Sequence, residues 1–224
     1  MSATSTILKL PPLESGDRLT RYEFERRYQA MPSIKKAELI EGVVYVASPV
    51  RATRHGRPHA DIIGCLFVYK VATPGVDLQD NATVRLDVDN EVQPDALLRL
   101  EAGGTSGISD DDYIEGVPEL IAEVAASSAS YDLNDKLNAY RRNGVKEYLV
   151  WQSYENRLDW FRLREGEYIA LDPDEKGIIR SEVFPGLWLS VTALERGDLA
   201  EVLGVLQQGL QTSEHQAFAA SLRS

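Results

Sequence analysis

Apolar positions along the chain change period several times, and each change marks an element. After a polar leader, DRLTRYEFERRYQAMP places Thr20 and Glu23 at capping-box spacing, with Tyr22, Phe24, Tyr28 and Met31 as a rough helical stripe. A short helix ending before Pro32 is predicted. AELIEGVVYVAS is rich in β-branched residues and predicts two strands about a tight turn at Glu41–Gly42. VRATRHGRPH reads as a basic, turn-rich loop. From His59, HADIIGCLFVYKVA carries Ile62, Ile63, Leu66 and Phe67 at helical spacing.

The middle is strand-like. ATVRLDVD alternates, and VQPDALLRL opens with a proline that suits the start of a strand rather than its centre. EAGGTSGISDDDYIEGVPE reads as a loop and LIAEVAA as a short apolar strand. DLNDKLNAYRRNG is a helix stopping at Gly144, a residue suited to a left-handed cap. KEYLVWQ, RLDWFRLR and GEYIAL are three further strands, with Trp151, Trp160 and Trp188 read as core. The succession of elements predicts an α/β fold, a central mixed β-sheet flanked by helices, over residues 1–191. Residues 192–224 are read as a C-terminal helix, with Leu199, Val202, Leu203, Leu206 and Leu210 on one face, followed by a loose polar tail.

Composition narrows the class. The 224 residues, 43% hydrophobic and 26% charged, describe an ordinary globular chain. No apolar run reaches the roughly 18 residues of a membrane span, and the N-terminus lacks a secretory pattern, so a cytoplasmic location is expected. Cys65 stands alone, which excludes an intrachain disulfide. With Lys plus Arg at 24 and Asp plus Glu at 35, the net charge of -11 argues against a non-specific nucleic-acid binder, because phosphate neutralisation needs cations. A nucleic-acid function would need a local basic patch, metal ions or a partner.

Two acids stand out. Glu123 lies between Ala122 and Val124 in an apolar strand, where a carboxylate needs a cation, a metal or a shifted pKa. Asp95 follows Pro94 at the head of another apolar strand. Acids on neighbouring strands could share a divalent cation, or each could pair with an arginine such as Arg85 or Arg99. Lys136, four residues after Asp132, is either half of a solvated helix pair or a lysine aimed at the sheet end, with Tyr140 one turn further on. Arg51, Arg54, His55, Arg57 and His59 form the one clearly basic stretch, either a phosphate-contacting loop or a solvated one. His215 in the tail receives no role.

The ordered segments ELIEG, a histidine heading a helix, PDALL, PELIAEVAASS, DLNDKLNAYRRNGVKEYLVW and FPGLWLS resemble the Uma-type endonuclease family of the PD-(D/E)XK superfamily. The resemblance runs from about Glu38 to Trp188. It implies a restriction endonuclease-like fold, with Asp95 as the motif aspartate and Glu123 as the second acid. Glu38 and His59 fall where the family tends to have an acid and a histidine. The superfamily's usual lysine, two residues after the second acid, is replaced by Ala125, and the resemblance implies that Lys136 takes its place.

On that basis the expected activity is Mg²⁺- or Mn²⁺-dependent hydrolysis of DNA phosphodiester bonds by a homodimer. The metal would sit on Asp95, Glu123 and the Val124 carbonyl, with Glu38 adding a carboxylate and Lys136 offsetting phosphate charge. Arg51, Arg54, Arg57 and His59 would contact the nucleic acid. The rival is a catalytically silent module of the same fold that binds nucleic acid or a protein. Acids converging on a cleft with a free lysine favour catalysis; acids saturated by arginines favour the rival.

Overall fold

A computed structural model of the protein describes residues 10–47, 49, 51–126 and 132–223, with the side chain of Asp132 outside that set. Helix α1 (Arg21–Gln29) begins as its sequence dictates: the Thr20 hydroxyl accepts the Glu23 N–H, and Phe24 is fully buried. Strands β1 (Ala37–Ile40) and β2 (Val43–Val46) are joined by Glu41 and Gly42, whose φ values of 51° and 73° match the twist that a two-residue hairpin requires.

The basic stretch departs from expectation. Residues Ala52–Gly56 form a wide helical turn that runs directly into α2 (Arg57–Ala72), instead of an irregular loop. Pro58 is tolerated because the first turn of a helix has no internal partner for its N–H. Next comes β3 (Val76–Asp80), a strand that two isolated apolar residues could not announce. Strand β4 (Val84–Arg85), within the alternating stretch, makes a hairpin with β5 (Glu91–Val92), which lies beyond it.

Strand β6 (Ala96–Leu100) follows Asp95. The Gly- and Asp-rich segment read as a loop instead holds a second hairpin, β7 (Ser106–Ile108) and β8 (Ile114–Gly116). Strand β9 (Leu120–Ala125) is buried along its whole length. A helical turn at Asp132–Lys136 leads into α3 (Leu137–Asn143), which ends on Gly144 at φ 89°, as its composition predicts. Strands β10 (Glu147–Gln152), β11 (Arg157–Arg164), β12 (Glu167–Ala170), β13 (Ile178–Arg180) and β14 (Trp188–Ser190) follow.

The expected central mixed sheet is present, in the order β12-β11-β10-β9-β6-β3, with β9 and β10 parallel and the other pairs antiparallel. Beside it, among the described residues, lies a second six-stranded sheet, β2-β1-β5-β4-β8-β7. Two-residue strands such as β4 and β5 carry too little alternation to show that sheet in advance. One face of the central sheet packs on α2 through Ile62, Leu66 and Tyr69; the other packs on Tyr140, Val84 and Ile40. The acids therefore lie between two layers that exclude water.

The C-terminal helices α4 (Val191–Arg196), α5 (Leu199–Leu210) and α6 (Ser213–Ser221) complete the fold. Val202 and Leu206 of α5 join the core beneath α2 with Leu210 beside them, while Leu199 and Leu203 of the same helix are exposed. The segment read as a loose polar tail is helical. His215 within it is buried and bridges Thr73 Oγ1 and the Leu210 carbonyl, each at 2.9 Å. Among the described residues no helix is long and apolar enough to cross a membrane.

Candidate active site

The chemistry gathers where β6 begins and β9 ends. The antiparallel register pairs Ala96 with Ala122, so the next positions outward, Asp95 and Glu123, stand opposite each other. Residues opposed in this way place their Cβ atoms about 5 Å apart on one face. Asp95 is buried, and its Oδ2 accepts the Val124 N–H at 2.8 Å. Burial pushes the carboxyl pKa up, but the His55 imidazole, Lys36 and the Val124 amide together outweigh it and hold the group at about 2.

Glu123 is 3% exposed and receives two donors on one oxygen: Lys136 Nζ at 2.8 Å and the Tyr140 hydroxyl at 2.9 Å. Lys136 is itself 2% exposed and lies 3.0 Å from Glu38 Oε1. That same oxygen accepts the Gln93 N–H at 2.8 Å, which ties β1 to the strand leading into Asp95. Lys136 lies just before α3 and Tyr140 is one turn on, so one helical face delivers both donors to the same carboxylate. Burial together with the Glu123 charge drives the Tyr140 phenol well above its ordinary value, so the hydroxyl stays a donor.

The basic segment meets this centre from the α2 side. His55 Nε2 lies 3.2 Å from Asp95 Oδ2. His59 Nε2 lies 2.9 Å from the Asp95 carbonyl and 3.1 Å from Asp80 Oδ1. Arg51 donates to the Tyr154 hydroxyl at 3.2 Å, while Arg54 donates to the Ser153 carbonyl at 3.1 Å and stacks on the Tyr154 ring. Arg57 is exposed at the first turn of α2. Ser153 follows β10, whose register sets Gln152 beside Ala125, so these guanidinium groups border the sheet end that carries Glu123.

Glu38, Asp95, Glu123 and Lys136 thus come together, and His59 and the arginines border them. Three contributors escaped the sequence reading as site members. Tyr140 was visible only as a helical neighbour of Lys136, His55 only as part of a basic run, and Lys36, 3.9 Å from Asp95 Oδ1, carried no signal. The arginines considered as structural partners of the acids are engaged elsewhere: Arg85 pairs with Asp111, and Arg99 with Asp77. Lys136 is tied to two carboxylates instead of standing free in a cleft.

The donor set suits a hard divalent cation, since Mg²⁺ takes carboxylate oxygens and keeps several waters. Asp95 and Glu123 face each other and supply two such groups, although among the described residues no three of His, Cys, Asp and Glu converge as a ready-made cage. Lys136 Nζ holds the Glu123 carboxylate as a cation would.

Comparison with known proteins gives the family. Residues 22–192 match the model of the Uma2 family, described as "Putative restriction endonuclease". The chain belongs to that family. Among solved structures it is similar to the crystal structure of a "putative nuclease belonging to DUF820" from Anabaena variabilis ATCC 29413, at 13% identity and a TM-score of 0.57. That likeness covers 76% of this chain and 96% of the other, and it extends the restriction endonuclease-like fold to this Uma2 member. No curated protein matches the sequence.

Proposed function

We propose that this Uma2 protein is an Mg²⁺- or Mn²⁺-dependent endonuclease that hydrolyses DNA phosphodiester bonds. The observation that carries the reading is the opposition of Asp95 and Glu123 on adjacent strands, with Lys136 Nζ 2.8 Å from the second acid. Asp95, Glu123 and the Val124 carbonyl would hold the ion. A metal bound there would polarise a phosphate oxygen and acidify a water. Lys136 places positive charge where phosphoryl transfer develops negative charge, the kind of fixed electrostatic support that lowers such barriers. Glu38 holds the lysine from its other side and fixes its direction. His55 contacts Asp95, while Arg51, Arg54 and Arg57, with His59 beside them, supply the local cations that a chain of net charge -11 needs to approach a phosphate backbone.

One observation favours the silent-module reading. Lys136 is buried between Glu123 and Glu38, so Glu123 already has a cation partner supplied by this protein. Titration calorimetry with Mg²⁺ and Mn²⁺ separates the two. Binding that vanishes in both Asp95→Ala and Glu123→Ala, followed by metal-dependent nicking of plasmid DNA, supports the endonuclease. A native chain that takes up neither ion, with or without DNA, removes it in favour of the binding module.

A further inference from the structure

A cavity of about 310 Å³ lies on the face of the second sheet turned away from Tyr140. Side chains alternate along a strand, so while Val84 and Val92 point into the core with Tyr140, the cavity takes Thr83, Arg85, Glu91 and Gln93. Its opposite wall comes from α1 and the segment after it, including Tyr28, Met31, Pro32 and Ile34, and Tyr113 contributes a further ring. The sheet side is therefore polar, and the α1 side mixes Glu25 and Gln29 with the apolar Met31–Pro32 stretch.

Several carboxylates gather around Arg85 at this cavity. Arg85 is bound bidentately by Asp111 at 2.9 and 3.0 Å and stacked by Tyr113 at 4.3 Å, yet Glu25 and Glu91 also crowd it. The Glu91 side chain is 7% exposed, and its Oε2 has no hydrogen-bond partner. Glu25 Oε1 is instead ion-paired, 3.0 Å from Arg85 Nε and 3.4 Å from Arg21 Nε. Buried acceptors without donors are costly, and a ligand bringing N–H groups would relieve them. The volume sits at the low end for small-molecule sites.

Short stretches of chain connect the cavity to the acid centre. Three lining residues each lie two positions from a contact of Asp95 or from Asp95 itself. Ile34 precedes Lys36, which reaches Asp95 Oδ1; Thr83 follows Asn81, whose N–H bonds the Asp95 carbonyl; and Gln93 leads to Asp95. We propose that this cavity receives one unstacked nucleobase bearing an exocyclic amino group, whose N–H donors meet Glu91 and Glu25 while its ring lies between Tyr113 and the Met31–Pro32 wall. Bases taken out of a stack are held by these means, hydrogen bonds on an edge and apolar or aromatic faces. Adenine, cytosine and guanine carry the amino group. Uracil and thymine do not, and they present a carbonyl oxygen where the other bases present N–H donors. The placing of that base beside a phosphate at Asp95 rests on the endonuclease reading; the binding of the base itself does not.

The test is titration of guanosine, adenosine, cytidine and uridine into metal-free protein, followed by calorimetry and by NMR shifts of cavity residues. The three amino-bearing nucleosides should bind the native chain and Glu123→Ala alike, with uridine at least about tenfold weaker. Glu91→Leu and Met31→Trp should abolish binding while circular dichroism stays native. If Glu91→Leu fails to fold, Met31→Trp on the apolar wall decides alone. Absence of binding to the native chain, equal binding of uridine, or binding that survives Met31→Trp overturns the proposal. A chain that binds these nucleosides but takes up no metal keeps the cavity and loses only the endonuclease.

Discussion

Lys136 Nζ lies 2.8 Å from Glu123 Oε1 although 13 residues separate them in the chain. The helical turn after β9 carries the lysine back over the strand it has just left. Ala125, two residues after Glu123, is fully buried on the same face and offers only a methyl group. A lysine on that strand would have to share the space now filled by Tyr140 and Ala139. Supplying the cation from the following helix keeps the strand apolar and still neutralises the acid.

Replacing Lys136 with Met should therefore act on stability first. It leaves Glu38 and Glu123 as buried carboxylates without their cation, a change that costs about 3–5 kcal/mol. If the acids can hold a metal, Mg²⁺ should return part of that loss by binding only the folded state. Denaturant unfolding of Lys136→Met with and without Mg²⁺ measures both effects. A variant as stable as the native chain would show that the buried pair contributes nothing.

Asp95 carries a pH signature of the opposite kind from a burdened acid. Its folded pKa is held at about 2, below the ordinary 3.8, because His55, Lys36 and the Val124 N–H outweigh burial. A depressed carboxyl contributes stability above its unfolded pKa and loses it as pH falls toward the folded value. Asp95→Asn should cost about 2 kcal/mol at neutral pH, and the gap between variant and native should close between about pH 4 and pH 2. A gap that is unchanged across that window would mean that the charge of Asp95 is not what is being stabilised.

How much of this could be read along the chain depended on what each residue needed from its neighbours. Glu123 announced itself because a carboxylate inside an apolar strand is out of place, and Asp95 because Pro94 marks a strand start. The Glu41–Gly42 turn and the Gly144 cap were legible because backbone geometry selects those residue types. His55 and Lys36 were not, since their partner Asp95 lies 40 and 59 positions away in sequence and nothing local distinguishes them from solvated cations. The second sheet was hidden for a related reason: strands of two or three residues are held by pairing partners rather than by their own alternation. The α6 helix, polar in composition, is fixed by His215 reaching Thr73 across the fold.

Glu147 offers a control for the acid centre. It is fully buried, and its carboxylate accepts from Ser181 Oγ at 2.7 Å, Glu182 N–H at 2.7 Å, Val183 N–H at 3.1 Å and Trp160 Nε1 at 3.2 Å. It anchors the chain after β13 to β10. Glu147→Ala leaves several buried donors unmatched, at about 1–3 kcal/mol for each donor so stranded. The variant should lose more than about 3 kcal/mol in urea unfolding while metal titration of the remaining folded protein stays native. Loss of metal binding at full stability would move Glu147 into the site.

The basic segment should be read out by salt. Arg54 stacks on Tyr154 and Arg57 is exposed, so removing either should leave the core untouched. If both contact phosphates, Arg54→Ala and Arg57→Ala should each weaken DNA binding uniformly across sequences and reduce the salt slope by about 1. An unchanged slope in both variants would return the segment to a solvated role and leave the approach of DNA to another surface.

Glu91 should make the native chain less stable as pH rises. Burial, reinforced by the neighbouring Glu25 carboxyl, lifts its pKa from 4.5 to about 8. The folded state then binds a proton that the unfolded state has released, so stability is full below about pH 4.5 and falls as pH climbs to about 8. Glu91→Gln cannot ionise and escapes that penalty. The variant should match the native protein near pH 4.5 and exceed it by more than about 1 kcal/mol near pH 8. Chemical unfolding of both proteins across that range is the measurement. A native curve parallel to that of the variant would mean that Arg85, 3.7 Å away, already keeps Glu91 ionised, and the cavity floor would then be a settled ion pair.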